Sequence, residues 1–130
     1  MKNIKAVIWD IDGTLLNTEQ GLVSAYQYTI EKQQLSSKTV EEIKGFIGPI
    51  PQNIFKNKFN LNSQAAQFAA DIFRNRYKQY DLLKAYPYDG IIEVLREIQI
   101  RGIAQAVATN KRQDYALEIC KHFGIDKYCA

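Results

Sequence analysis

The sequence contains no long apolar run and very little cysteine. None of its apolar stretches approaches the roughly 20 residues that a membrane-spanning helix needs, which predicts a protein without a membrane partner. The N-terminus leads into a strand pattern rather than a small-residue cleavage site, so a secretory signal is not indicated. The two cysteines, Cys120 and Cys129, lack metal-ligand spacing and are interpreted as reduced thiols. These features together favour a cytoplasmic protein.

The sequence also lacks a basic cluster, an internal repeat and a low-complexity segment. Its net charge is +3 and its Lys and Arg residues are spread along the chain, which does not favour a nucleic-acid partner. A surface that attracts small phosphorylated anions fits this charge better. The single histidine, His122, falls beside Lys121 in the last turn of a predicted helix. A cation suits the helix dipole there, so His122 is not taken as catalytic.

The outer parts of the chain combine two predicted strands with helices. Residues 4–9 are short, apolar and β-rich, which predicts a buried strand, and residues 103–108 predict a second one. We expect Asp89 to cap the helix between them, and Thr109 or Asn110 to cap the helix after the second strand. This order of elements predicts an α/β core with an insertion after its first strand.

Residues 17–81 have the pattern of an all-helical segment. Apolar residues recur there at helical spacing. Thr39 followed three residues later by Glu42 is a capping box, and Asn62 or Ser63 can cap a longer helix. The insertion is therefore predicted to contain helices and no strands.

Two acidic residues end the first predicted strand, in the stretch VIWDIDGTLLNT at residues 7–18. Asp10 and Asp12 would be costly at a buried strand end unless something compensates their charge. A calcium-binding loop counted from Asp10 is excluded, because Leu15 stands where it needs glycine and Gly21 where it needs glutamate. A plain acidic turn is the other alternative, since Asp-Gly is common in turns.

The position of Asp10 favours chemistry over a plain turn. Parallel strands of α/β proteins present functional groups at their carboxyl ends. A carboxylate in that position can attack phosphorus and form an aspartyl phosphate. Mg²⁺ prefers oxygen ligands and would neutralise phosphate and carboxylate together. The pattern therefore indicates phosphoryl transfer with Mg²⁺ as the cofactor.

The segment DIDGTLLNT resembles the first motif of the haloacid dehalogenase-like hydrolases, D-x-D-G-T-[LV]-x-[DN]-[ST]. IKGFIGPIP, residues 43–51, is similar to the helical cap of the phosphoglycolate phosphatase-like branch. The stretch YPYDGIIEVLREIQIRGIAQAVATNK resembles the return into the core and the second motif. The resemblance implies an incomplete Rossmann-like parallel-sheet core, residues 1–16 and 82–130, with residues 17–81 as the cap.

The resemblance also implies a role for each matching residue. Asp10 would be the nucleophile that takes the phosphoryl group and would hold Mg²⁺ through its other oxygen. Asp12 would be the general acid and base, with its main-chain carbonyl as a further metal ligand. Thr109 matches the second-motif hydroxyl that bonds the transferring phosphoryl group. The implied phosphate-binding set is Gly13, Thr14, Thr109 and Asn110.

The family's third-motif lysine and fourth-motif acidic pair find no match. Lys111 adjoins Thr109 and is interpreted as part of the second motif. We expect the N-terminal part of a larger Mg²⁺-dependent phosphatase for a small, phosphoglycolate-like monoester, impaired when this chain acts alone. A free sheet edge would allow self-association. Two alternatives stay open: a non-catalytic phosphatase-like protein that binds phosphate or a partner chain, and a sugar phosphomutase.

Overall fold

The structure, a computed structural model, describes residues 3–129, which divide into two units. We call residues 3–17 and 85–129 the strand unit, and residues 18–84 the helical unit. The strand unit combines parallel strands with helices, which confirms the predicted α/β class. No helix within residues 3–129 has both the length and the apolar character needed to cross a membrane.

The strand unit contains two separate strand pairs. Its elements, numbered along the whole chain, are β1 (Ala6–Trp9), β2 (Leu16–Asn17), β3 (Tyr86–Pro87), α5 (Ile91–Ile100), β4 (Ala104–Val107), α6 (Gln113–His122) and a 3₁₀ turn (Ile125–Lys127). Strands β1 and β4 are parallel, with Trp9 opposite Val107. Strands β2 and β3 are antiparallel, with Asn17 opposite Tyr86. Sequence reasoning missed the second pair because a two-residue strand carries no periodic pattern.

A strand forms within residues 4–9 as predicted, but the expectation that it is buried is wrong. Strand β1 begins at Ala6, and the side chain of Ile8 is 70% exposed. Parallel strands are normally buried because other elements cover both faces of their sheet. Among the described residues β1 pairs only with β4, and this small sheet leaves Ile8 in contact with solvent.

One buried glutamine joins the two parallel strands to a helix. Gln105 of β4 is 4% exposed, and its side-chain oxygen accepts a hydrogen bond from the Trp9 indole Nε1 at 3.0 Å. Its side-chain nitrogen donates to the Leu95 carbonyl of α5 at 2.9 Å. A buried amide needs such partners, so Gln105 fixes β1, β4 and α5 relative to one another.

Two of the expected helix caps are also wrong. Helix α5 follows Gly90, which has a φ of +83°, and no side-chain cap bond from Asp89 precedes it. Helix α6 follows Arg112, so neither Thr109 nor Asn110 caps it. A cap must directly precede the helix, and residues 109–112 form a loop instead.

The helical unit contains four α-helices: α1 (Glu19–Lys32), α2 (Val40–Lys44), α3 (Pro51–Lys58) and α4 (Ser63–Arg76), followed by a π-helical turn (Tyr77–Asp81). The capping box at α2 is confirmed, since Glu42 N donates to Thr39 Oγ1 at 3.1 Å and Thr39 N donates to Glu42 Oε1 at 3.0 Å. Asn62 is the cap of α4, because its side chain accepts from Ala65 N at 2.8 Å.

The core of the helical unit is built around the ring of Tyr26. This side chain is 2% exposed, and its ring centroid lies 4.4 Å from that of Phe73, 5.4 Å from Phe46 and 5.6 Å from Phe55. Burial raises the pKa of the Tyr26 hydroxyl. The aromatic cluster therefore ties α1, α3 and α4 to the segment after α2.

Candidate active site

Asp10 lies at the carboxyl end of β1, as the motif predicted. Its side chain is exposed, and Oδ1 accepts a hydrogen bond from the main-chain nitrogen of Ile11 at 2.8 Å. The exposure shows that Asp10 does not carry the full desolvation cost expected at a buried strand end. The hydrogen bond instead limits the rotation of a carboxylate that faces solvent.

The loop after Asp10 is a tight turn fixed by main-chain hydrogen bonds. The Ile11 carbonyl accepts from Thr14 N and from Leu16 N, both at 3.1 Å. Gly13 N donates to the Leu16 carbonyl at 3.0 Å, and Gly13 has a φ of +82°, which favours glycine. Ile11 is completely buried, whereas Gly13 and Thr14 are exposed. The turn therefore presents Gly13 and Thr14 to solvent.

The second predicted segment lies at the same end of the parallel pair. Ala108 N donates to the Trp9 carbonyl at 2.8 Å, so the chain leaves β4 beside the point where Asp10 leaves β1. The hydroxyl of Thr109 accepts from Lys111 N at 3.1 Å, which fixes the first turn of the loop. Asn110, between them, is exposed.

Lys111 contacts the acidic motif, a contact that sequence reasoning missed. Its Nζ lies 3.2 Å from Asp12 Oδ1, and the two side chains are 4% and 15% exposed. Burial lowers the pKa of Lys111 below its ordinary value, while the charges of Asp12 and Asp10 act in the opposite direction. The available signal was its place on the loop after the second strand, two residues beyond Thr109.

A groove runs along β4 and α6 from this loop. Its volume is about 480 Å³, and Thr109, Lys111, Leu117, Cys120 and Cys129 are among the residues that line it. Burial raises the pKa of the Cys120 thiol to about 11 and also raises that of Cys129. Neither thiol is therefore activated as a nucleophile.

The acidic side chains do not form a complete metal site by themselves. Within residues 3–129, no group of three or more His, Cys, Asp or Glu residues is placed to hold a metal ion. Asp10 and Asp12 supply oxygen atoms, which are the ligand type that Mg²⁺ prefers, and Mg²⁺ commonly keeps several waters. The donors present fit Mg²⁺ in chemistry and form only part of its ligand shell.

Comparison with known proteins identifies relatives over almost the whole chain. A 5'-nucleotidase of Pseudomonas aeruginosa is 28% identical over 94% of this chain and 55% of its own length. A phosphoglycolate phosphatase of Agrobacterium fabrum is 32% identical over 95% of this chain and 55% of its own. The crystal structure of a predicted phosphatase from Clostridium acetobutylicum superposes with a TM-score of 0.92 at 26% identity, over 97% of this chain and 58% of that one.

The match to a protein family is equally extensive. The chain spans little more than half the length of these relatives, 55% to 58%. The sequence pattern of one family, however, matches residues 7–130, which include both the acidic motif and the loop after β4. The chain belongs to the haloacid dehalogenase-like hydrolases.

Proposed function

We propose that this chain carries the phosphoryl-transfer site of a phosphatase that hydrolyses small phosphate monoesters. The observation that carries the proposal is the arrangement at one end of the strand unit. Asp10 follows β1, Thr109 follows β4 beside it, and the ammonium of Lys111 lies 3.2 Å from Asp12. A nucleophile, a proton-transfer group, a hydroxyl and a cation are the groups that this reaction needs.

Asp10 would act as the nucleophile. One of its carboxylate oxygens attacks the phosphorus atom, the bond from phosphorus to the leaving oxygen breaks, and an aspartyl phosphate forms. Its exposed side chain is accessible to a substrate, and the hydrogen bond from Ile11 N keeps the carboxylate oriented. Asp10 thereby carries the phosphoryl group between the two steps.

Asp12 would transfer the proton in both steps. It donates a proton to the leaving alkoxide in the first step, and accepts one from the attacking water in the second, when phosphate is released. Its lower exposure, 15%, suits a group that is held in place and exchanges one proton with substrate and water. The hydroxyl of Thr109 would bond an oxygen of the phosphoryl group, with the exposed residues Gly13 and Thr14 of the turn beside it.

Mg²⁺ is the proposed cofactor. The carboxylate of Asp10 and the main-chain carbonyl of Asp12 would hold it, with water in the remaining positions. When bound, the ion would neutralise negative charge on the phosphate and on Asp10. Titration with Mg²⁺ and its removal with EDTA test this part of the proposal directly.

The proposed substrate is a small anionic ester such as phosphoglycolate. Relatives named phosphoglycolate phosphatase and 5'-nucleotidase support a phosphate monoester. The helical unit, residues 18–84, contains nine Lys and Arg against six Asp and Glu, so the whole net charge of +3 lies in this unit. An excess of positive charge attracts anions. The helical unit is accordingly proposed as the cap that selects the substrate.

The compartment and the oligomeric state are also proposals. The free thiols of Cys120 and Cys129 are compatible with the reducing cytoplasm. Strand β1 has the exposed Ile8 and pairs with β4 alone among the described residues, which supports self-association along this sheet. Sedimentation over a range of protein concentrations tests the association.

The experiment is phosphate release from phosphoglycolate and from p-nitrophenyl phosphate by the native protein that contains this sequence, with wild type and Asp10→Asn. An amide is a poor nucleophile, so we expect Asp10→Asn to remove turnover while circular dichroism stays unchanged. Glu118→Gln is the matched control, because Glu118 is an exposed carboxylate on α6 in the same unit. Full activity of Asp10→Asn would show that Asp10 is not the nucleophile.

A chemical trap separates this function from its alternatives. Borohydride reduces an acyl phosphate, so quenching during turnover would leave homoserine at position 10, detectable by mass spectrometry. A phosphomutase would instead return the phosphoryl group to a sugar without releasing phosphate, and a non-catalytic protein would give neither product. We expect labelling of Asp10 together with phosphate release.

The 130-residue chain acting alone is expected to be a poor phosphatase. Electrostatic groups at such sites are often worth about 3 kcal/mol each, or roughly a hundredfold in rate, and residues 3–129 contain no group of three or more His, Cys, Asp or Glu residues placed to hold the ion. Phosphate release is measured over a range of protein and Mg²⁺ concentrations, with Asp10→Asn as the control for contamination. Rapid turnover per chain, independent of concentration, would contradict this expectation.

A further inference from the structure

Lys111 and Asp12 meet from the ends of two different strands. Asp12 lies in the turn after β1, and Lys111 lies in the loop after β4. The 3.2 Å ion pair between Nζ and Oδ1 links these two segments at the candidate active site. It joins the residue proposed as general acid and base to the loop that carries Thr109.

The contact differs from an ordinary surface ion pair in its burial. Lysine has a long flexible stem and a strongly hydrated ammonium, so it is seldom buried without a partner. The Lys111 side chain is only 4% exposed, whereas Lys44, which pairs with Glu41, is 40% exposed. Burying Lys111 therefore restricts its side chain and fixes the ammonium against Asp12.

The main chain on both sides of this contact is also fixed. The Thr109 hydroxyl accepts from Lys111 N at 3.1 Å, which sets where the lysine stem begins. The turn that carries Asp12 is fixed by hydrogen bonds to the Ile11 carbonyl. Both partners are thus held before any substrate binds, which is the condition for an oriented catalytic group.

A purely stabilising role explains this ion pair poorly. Removing two charges from water costs about as much as their attraction returns, so buried pairs add little net stability. The pair lies close enough to Asp10 for the charge of that carboxylate to act on Lys111. A requirement to orient the Asp12 carboxylate explains better why the ion pair lies at the reacting groups.

We propose that Lys111 is a positioning residue for the reaction, which orients the Asp12 carboxylate through the Nζ to Oδ1 contact and balances its charge. The proposal rests on the phosphatase function proposed above. Without the ammonium, Asp12 would lose a contact that orients its carboxylate, and proton transfer to the leaving oxygen would slow. Lys111 acts through Asp12, so it should affect turnover more than substrate binding.

The test compares Lys111→Met with Lys121→Met in the native protein that contains this sequence. Lys121 is exposed on α6 and serves as the matched control. A misplacement of about 1 Å can cost about a hundredfold in rate, so we expect Lys111→Met to lower kcat for an alkyl phosphate by roughly 10- to 100-fold. KM should change by less than about threefold, because the contacts that bind the substrate equally in the ground state and the transition state are not removed.

Two further readouts separate positioning from a general structural role. In the first turnover, where Asp12 protonates the leaving group, the loss of rate should be smaller with p-nitrophenyl phosphate, whose leaving group needs little protonation. In an Asp12→Ala background, Lys111→Met should cause little further loss, because the group that it positions is gone. An equal loss with both esters, or a full loss in the Asp12→Ala background, would overturn the proposal.

A measurement without activity keeps the proposal distinct from the function on which it rests. In a thermal-melting cycle of Asp12→Ala and Lys111→Met, we expect the double variant to lose less Tm than the two single losses together, by roughly 3 °C. Additive losses would show that the ion pair does not form. If the cycle shows coupling and the native protein releases no phosphate, the proposed function fails and the catalytic role of Lys111 fails with it.

Discussion

Gly21 packs its α carbon directly against the main chain of Asp81. A side chain at position 21 would overlap the Asp81 carbonyl oxygen and lie closer to the Lys84 carbonyl oxygen than ordinary van der Waals contact allows. This close approach holds the start of α1 against the end of the π-helical turn. Because the opposing atoms belong to the main chain, they cannot move aside by changing rotamer.

We predict that Gly21→Ala destabilises the helical unit. Overpacking typically costs about 1–3 kcal/mol, and the overlap with main chain favours the upper end of this range. Urea unfolding followed by circular dichroism measures the change, with Ser24→Ala on the same helix as a control expected within about 0.5 kcal/mol. Equal stability of Gly21→Ala and wild type would show that the start of α1 and the end of the π-helical turn move apart at little cost.

The contacts of the buried Asp81 carboxylate predict which of two variants, Arg76→Met or Asp81→Asn, is less stable. Asp81 is completely buried, Arg76 Nε donates to Oδ2 at 3.1 Å, and Lys84 Nζ lies 2.9 Å from Oδ1. The Lys84 contact is not aligned as a hydrogen bond, so Lys84 compensates Oδ1 by charge alone. Arg76 also lies between the rings of Tyr28 and Tyr80, at 4.8 and 4.7 Å from their centroids.

Arg76→Met should therefore destabilise the chain more than Asp81→Asn. Leaving a buried charge without its partner costs about 3–5 kcal/mol; Arg76→Met removes one of the two cations that contact Asp81 and leaves Lys84, so a loss near the lower end, about 3 kcal/mol, is expected. Asp81→Asn leaves two cations whose side chains are 27% and 42% exposed and can be hydrated, so about 1–2 kcal/mol is expected. Chemical denaturation measures both values, with exposed Lys78→Met as the control. The reverse order would contradict the explanation.

Gln105→Leu should weaken the strand unit. The substitution removes the acceptor of Trp9 Nε1 and the side-chain donor to the Leu95 carbonyl. An unsatisfied buried polar group costs about 1–3 kcal/mol, so a loss in this range is expected. Trp9 is the only tryptophan, so its fluorescence follows unfolding of this unit specifically. Gln99→Leu, which removes an exposed hydrogen bond to Lys127, is the matched control and should cost little.

The buried thiol of Cys120 leads us to predict that the stability of the protein falls at alkaline pH. Burial raises the pKa of its thiol from 9.0 to about 11, so the neutral thiol is favoured in the folded state. The resulting stabilisation is fully present below pH 9 and is lost as pH rises through about 11. Melting temperatures of wild type and Cys120→Ala across this window measure the effect, and the variant should show a shallower decline. Parallel curves would exclude a contribution from Cys120.

The sequence by itself determined the features that depend on neighbouring residues. The acidic motif identifies the family, and the capping box of Thr39 and Glu42 forms as predicted. The separation of the two strands by helices also favours their parallel arrangement, since parallel strands need a long crossover connection, usually a helix. The proposed roles of Asp10 and Asp12 come from this local motif and stay predictions.

The tertiary structure decided the features that join distant parts of the chain. Lys111 is separated from Asp12 by almost a hundred residues, and only the pairing of β1 with β4 brings the two together. The exposure of Ile8 likewise depends on which strands lie beside β1. Local patterns specify the conformation of a segment, whereas the packing around a charge or an apolar side chain depends on non-local partners. The contact of Lys111 with Asp12 was therefore visible only in the fold, although the place of Lys111 after the second strand could be seen in the sequence.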